Sequence, residues 1–185
     1  MSKLSALFLC AALWLLPQGA RGDETTCRGT LSGTYDNINV PPGANCTVRN
    51  SHVKGNIYVR GNASLNVHQT VIVGNIQAEG ARYVRLHGTG VSVNGSVQVK
   101  YGTAATTINP GTRIGGSVQY VESSGFLQIL GARVGQDVQV FENEGGASIH
   151  NNVINGNLQC KQNEPEPTGN NNKVGGNKED QCAGF

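Results

Sequence analysis

The chain has 185 residues, 37% of them hydrophobic, only 5% aromatic and 14% charged, with 26 glycines and a formal charge of +2. If an N-terminal leader carrying Lys3 and Arg21 is removed, twelve basic residues face twelve acidic ones. A neutral chain lacks the basic excess that nucleic acid or an anionic membrane surface demands, so neither partner is expected.

Lys3, an apolar run over residues 4–16, Pro17 and the small-residue stretch Ala20-Arg21-Gly22 have the make-up of a secretory signal peptide spanning residues 1–22. The run is shorter than the roughly 20 apolar residues that cross a bilayer, and no later stretch is continuously apolar, so membrane insertion is not expected. The leader carries Cys10 and Trp14, the single tryptophan. The implied address is secreted, either periplasmic or extracellular.

Residues 23–52 form an N-terminal cap and a first, loose repeat, with Ile38-Asn39-Val40 followed by the turn Pro41-Pro42-Gly43. Residues 53–160 are regular. One phrase recurs as Val53-Lys54-Gly55-Asn56-Ile57-Tyr58-Val59, Ile72-Val73-Gly74-Asn75-Ile76-Gln77-Ala78 and Val93-Asn94-Gly95-Ser96-Val97-Gln98-Val99. It continues as Ile114-Gly115-Gly116-Ser117-Val118-Gln119-Tyr120, Val134-Gly135-Gln136-Asp137-Val138-Gln139-Val140 and Ile154-Asn155-Gly156-Asn157-Leu158-Gln159-Cys160, with a degraded copy over residues 174–180. The central positions Gly55, Gly74, Gly95, Gly116, Gln136, Gly156 and Gly176 are separated by 19, 21, 21, 20, 20 and 20 residues, a solenoid period. A second alternating run follows each phrase, as in Leu65-Asn66-Val67, Val84-Arg85-Leu86 and Leu127-Gln128-Ile129.

Each repeat thus reads as two short strands joined by Gly, Asn, Ser and Thr turns. No 3.6-residue apolar stripe is present, and Val, Ile, Gly and Asn are poor helix formers. The expected fold is all-β: a single parallel β-helix of about eight rungs with a period of about 20 residues. Each rung buries too little to stand alone, and stacking makes the core continuous.

Residues 161–185 are expected to interrupt the period with a proline-containing loop, Pro165 and Pro167, and then to cap the rod. Lys178 falls where the core column holds Ile, Val or Leu, a charge that blocks edge-to-edge growth and favours a monomer over a polymer. Four cysteines remain outside the leader. Cys27 and Cys46 are 19 apart and Cys160 and Cys182 are 22 apart, each about one rung, so disulfides Cys27–Cys46 and Cys160–Cys182 are expected at the two ends.

Residues of equal phase form columns in a solenoid, so chemistry is sought down the stack. The column Asn56, Asn75, Ser96, Ser117, Asp137, Asn157 and Asn177 suits side-chain bonding inside a turn. Tyr58, Gln77, Gln98, Gln119, Gln139 and Gln159 point outward by alternation, a row of amides that either bond one another or meet a polysaccharide; these six are the candidate binding residues. Arg60, Glu79 and Lys100 alternate in sign, as cross-strand neighbours prefer. Glu122 and Glu142 stack like charges at roughly the 5 Å separation of a retaining glycosidase, and are the candidate catalytic pair of an alternative, enzymatic reading. His68 and His87 share a column that offers no third ligand, so no metal and no cofactor are expected. Arg113 and Arg133 are in phase and read as exposed.

The closing segment, from Gly156-Asn157-Leu158-Gln159-Cys160-Lys161 through Pro167-Thr168-Gly169 to Gly176-Asn177-Lys178-Glu179-Asp180-Gln181-Cys182, is similar to the ending of a group of uncharacterised secreted bacterial parallel β-helix repeat proteins. The valine-glycine repeat also resembles the bactofilins, which polymerise end to end; the leader, the cysteine pairs and Lys178 depart from that pattern. Pectate-lyase-like enzymes share the general fold but group acidic and basic residues in one cleft, a cluster this sequence lacks. The expectation is a non-enzymatic exported solenoid of the cell envelope or extracellular space, contacting polysaccharide or another protein. The alternatives are a polysaccharide-active enzyme, a glycosidase or lyase, and a self-assembling matrix polymer.

Overall fold

The computed structural model describes residues 23–185; the expected signal peptide over residues 1–22, with Cys10, lies outside the described residues. The chain winds as an all-β parallel solenoid of about eight turns, built from one nine-stranded sheet and two eight-stranded sheets. A typical turn places Val71–Ile72 on the first sheet, Ile76–Glu79 on the second and Tyr83–Leu86 on the third. The cross-section is therefore three-sided. We call the three sides the short face, the glutamine face and the histidine face.

This corrects the expectation of two strands per repeat. In the recurring phrase, Ile154 ends a strand of the short face while Leu158 begins one of the glutamine face, so a single phrase rounds a corner. The glycine between them sits where a Cβ would meet the turn below: Asn56 and the Gly55 carbonyl crowd Gly74, and Asp137 and Gln136 crowd Gly156. Neighbouring turns approach too closely there for a side chain.

Alternation in each strand delivers the core. Ile38, Ile57, Ile76, Val97, Val118, Val138 and Leu158 form one inward column in unbroken register, all fully or almost fully buried. Val48, Val67, Leu86, Ile108, Ile129 and Ile149 form its counterpart beneath the histidine face. Tyr120 replaces a valine in a column between Val99 and Val140, and its hydroxyl reaches under a corner to donate to the Gly125 carbonyl at 2.7 Å. Burial pushes that phenol up to about 12.

The corners hold together through side chains from the adjacent turn. At the first corner the expected ladder is present: the backbone N–H groups of Asn75, Ser96, Ser117, Asp137, Asn157 and Asn177 donate to Asn56, Asn75, Ser96, Ser117, Asp137 and Asn157, at 2.7–3.3 Å. Two further ladders, not read from the sequence, fill the other corners. Asn143 and Asn163 accept from the N–H groups of Ser123 and Asn143, and their Nδ2 atoms donate to the carbonyls of Tyr120 and Val140. Asn152 and Asn172 repeat the arrangement with Ala132, Asn152, Ile129 and Ile149.

The proline-containing segment keeps the period instead of interrupting it. Asn163 continues a ladder, Ser148 pairs with Thr168, and Val153 pairs with Lys173, each 20 residues on. Lys178 lies in register with Leu158 and is exposed, its ammonium meets the carbonyl of Phe185, and the last residues bring Phe185 against the core.

Both expected disulfides are present near the two ends: Cys27–Cys46 with Cα atoms 5.5 Å apart and Cys160–Cys182 with 5.3 Å, every sulfur buried. They fit an oxidising, non-cytoplasmic compartment. Closing a loop of about 20 residues removes enough unfolded-chain entropy to contribute about 3 kcal/mol. The double replacement Cys27→Ser, Cys46→Ser should therefore lower stability by about 3 kcal/mol in urea unfolding; a change near zero would deny the bridge a stabilising role.

Asn152→Ala orphans the buried Ala132 N–H and removes the side-chain bond to the Ile129 carbonyl. At about 1 to 3 kcal/mol for each buried group left unpaired, a loss of about 3 kcal/mol is expected in the same assay. Asn155→Ala, at an exposed position, should stay within about 0.5 kcal/mol.

Candidate binding face

Along the glutamine face, Tyr58, Gln77, Gln98, Gln119, Gln139 and Gln159 occupy one outward column, in register from turn to turn. Four of the glutamines bond in series. The Nε2 atoms of Gln98, Gln119 and Gln139 donate to the next Oε1 at 2.7, 2.8 and 3.0 Å, and Gln159 donates to the Glu179 carboxylate at 2.7 Å. Each Nε2 carries a second N–H that the series does not use. Gln77 stands outside the series, exposed, its side chain without a hydrogen bond among the described residues. Tyr58 closes the row, its hydroxyl accepting from Asn56 at 3.2 Å and the Arg60 guanidinium lying over its ring at 5.3 Å.

The neighbouring outward column reads Arg60, Glu79, Lys100, Val121, Phe141 and Lys161. Alternation forces Val121 and Phe141 outward, against the glutamines, where they remain half-buried. The two columns enclose an open groove of about 560 Å³ running from Tyr58 and Arg60 to Gln139 and Phe141. Sequence reading singled out the amides and missed Phe141. The signal was available: two places beyond Gln139 on the same strand, it must share the face of that glutamine.

The expected sign-alternating pairs form differently. Glu79 and Lys100 are in register, yet Lys100 makes its ion pair with Glu122 at 3.0 Å, and Arg60 donates to Asn39 at 3.3 Å. The reason is the corner. Glu122 follows Val121, the register partner of Lys100, and its left-handed φ of 49° turns the chain at that point. Hydrogen bonds, first to Tyr101 and then to Glu122, hold the Lys100 ammonium above the ordinary lysine range.

Glu122 and Glu142 occupy equivalent corner positions on adjacent turns, both exposed, beside an open depression shared with Tyr101, Glu144 and Glu164. Their positive φ values are a property of the corner: Tyr101 and Gln162, in the same column, have 57° and 55°. Both carboxyls are exposed, and Glu122 pairs with the Lys100 ammonium.

On the histidine face, His68 and His87 stack with ring centroids 3.9 Å apart and planes 11° from parallel, and His87 meets Asn66 at 3.3 Å. His150 is separate and bonds to Asn170. Among the described residues no group of three or more His, Cys, Asp or Glu is placed to hold a metal ion, and no helix is long and apolar enough to cross a membrane.

Comparison with protein-family models, with curated proteins and with solved structures finds no match for this chain. Its chemistry is therefore read from its own faces.

Desolvation within the stack, then the neighbouring His68 and Arg85, lower the pKa of His87 below the ordinary imidazole value of 6.5. A base with a depressed folded-state pKa contributes stability above its unfolded pKa and loses it as pH falls through the folded value. Acidification below about 6.5 should accordingly destabilise the protein, and His87→Asn should flatten that part of a melting-temperature profile. An unchanged profile would show that the stack does not titrate this way.

Proposed function

We propose that this chain is an exported, non-enzymatic binding solenoid of the cell envelope or extracellular space, which holds an uncharged extended polysaccharide along its glutamine face. One observation carries the reading. A row of amides with spare N–H groups forms the floor of a groove, Tyr58 stands at one end and Phe141 at the other, and about 20 Å of strand stacking separates them. Sugar rings present hydroxyls to amides and C–H faces to aromatic rings, and the groove offers both. The groove is rigid because its floor is a parallel sheet pinned by corner ladders, so little ordering accompanies binding.

Two buried disulfides and the leader-like composition of residues 1–22 support export. The Lys178 and Phe185 cap supports a monomer, since an exposed charge in the core column opposes a further turn stacking on that end. The likeness of the closing segment to secreted bacterial β-helix proteins agrees with this reading.

The test is retention of the oxidised protein on a panel of insoluble envelope and extracellular polysaccharides, with supernatants assayed for released sugar ends. Retention on a neutral polymer is expected, weakened about tenfold in Tyr58→Ala, Phe141→Ala, without release. Release that vanishes in Glu122→Gln, Glu142→Gln would replace the binding role with an enzymatic one. Absence of retention on every polymer would remove the polysaccharide reading.

A further inference from the structure

We infer that the short face carries a second, separate site, an anion trough built on Arg113 and Arg133 that takes a carboxylate-bearing polysaccharide. The two arginines are register partners on adjacent turns, both exposed, and neither guanidinium has an ion pair or hydrogen bond among the described residues. Strand stacking sets their backbones about 4.8 Å apart. Like charges on adjacent turns repel, neither guanidinium has an ion pair among the described residues, and a ligand that bridges the two would offset the repulsion.

The surroundings favour such a ligand. Two residues beyond each arginine, Gly115 and Gly135 leave the floor as bare backbone, and a Cβ at either would strike the carbonyl of the turn below, Asn94 for Gly115 and Gly115 for Gly135. The side-chain amides of Asn94 and Asn155 stand on the same lining at either end of this bare floor. The result is an open trough of about 340 Å³ with two cations along one edge and amides at its limits.

Charge is also segregated across the molecule. From His52 onward the strands of the short face contain no acidic residue, while they carry His52, Arg113, Arg133 and Lys173. On the turns that bear the arginines, Glu122, Glu142 and Glu144 sit at the corner between the other two faces, and Asp137, at the corner next to the short face, has its carboxylate engaged by the Asn157 N–H.

A carboxylate matches the planar guanidinium fork with two parallel hydrogen bonds, a geometry that a point charge does not impose. The trough is shallow and follows the stacking direction, with no wall to enclose a compact ion. A polymer with regularly spaced carboxylates suits it, one group on each arginine. This site is independent of the groove on the glutamine face.

The probe is polygalacturonate, titrated calorimetrically against the oxidised protein at low ionic strength, with dextran as the neutral control and dextran sulfate and inorganic sulfate as competing anions. Binding of polygalacturonate is expected, weakened at least tenfold in Arg113→Gln, Arg133→Gln and several-fold in Arg113→Lys, Arg133→Lys, which keep the charge and lose the fork. Phe141→Ala should leave it unchanged, and the melting transitions of all variants should match the parent, separating loss of the site from loss of the fold. No binding of polygalacturonate, or undiminished binding by the glutamine variant, overturns the proposal. Equal binding of dextran sulfate, or unaltered binding by the lysine variant, overturns the assignment to carboxylate.

Discussion

A rung that turns three corners leaves backbone N–H groups pointing along the axis with no regular strand opposite them. Buried amide groups without partners are costly. The rest of this structure depends on how that demand is met. At the first corner along most of the rod, and at the other two corners toward its C-terminal end, an Asn, Ser or Asp side chain from the neighbouring turn reaches across one stacking distance and accepts the N–H. The side chain that satisfies one turn fixes the position of the next. Because the acceptors come from the neighbouring turn, the corners are satisfied only when turns stack in strict register, and that register aligns every outward residue into a column. The faces are consequences of the corners.

Columns make surface chemistry cumulative, which explains why the chain can be sparing with functional residues. A single exposed glutamine is unremarkable, but four at one phase bond into a continuous row. Phe141 beside that row converts it from a sheet surface into one side of a groove. The same logic turns two arginines into a doubled charge. The same stacking places Glu122 and Glu142 in a corner column at the outside of the rod, where both are exposed and Glu122 pairs with a lysine.

What the sequence made legible follows the strength of its periodicities. Alternation over three or four residues located the strands of the glutamine and histidine faces, and the spacing of Cys27 to Cys46 and of Cys160 to Cys182 identified the bridges because a disulfide spans one rung. The short face was hidden because its strands, such as Val71–Ile72, are two residues long, too short to display an alternation. Prolines at 165 and 167 suggested a break, yet Asn163 and Thr168 on either side of them keep their register with Asn143 and Ser148, so the period passes through. The Lys100 and Glu122 pair escaped notice because it joins positions one residue out of phase, linked only by the bend at a corner.

Glu179 stands at the last position of the glutamine row, and a carboxylate can only accept. Gln159 must therefore present its N–H to it and its carbonyl to Gln139, and the constraint passes turn by turn as far as Gln98, whose carbonyl has no glutamine donor of the series behind it. One acid thus sets the orientation of four amides and gives the face a polarity along the rod axis, electron-rich at both limits but for different reasons, a neutral oxygen at one and a formal charge at the other. The two directions along this groove are therefore chemically inequivalent, since the row runs from an amide carbonyl at Gln98 to a carboxylate at Glu179.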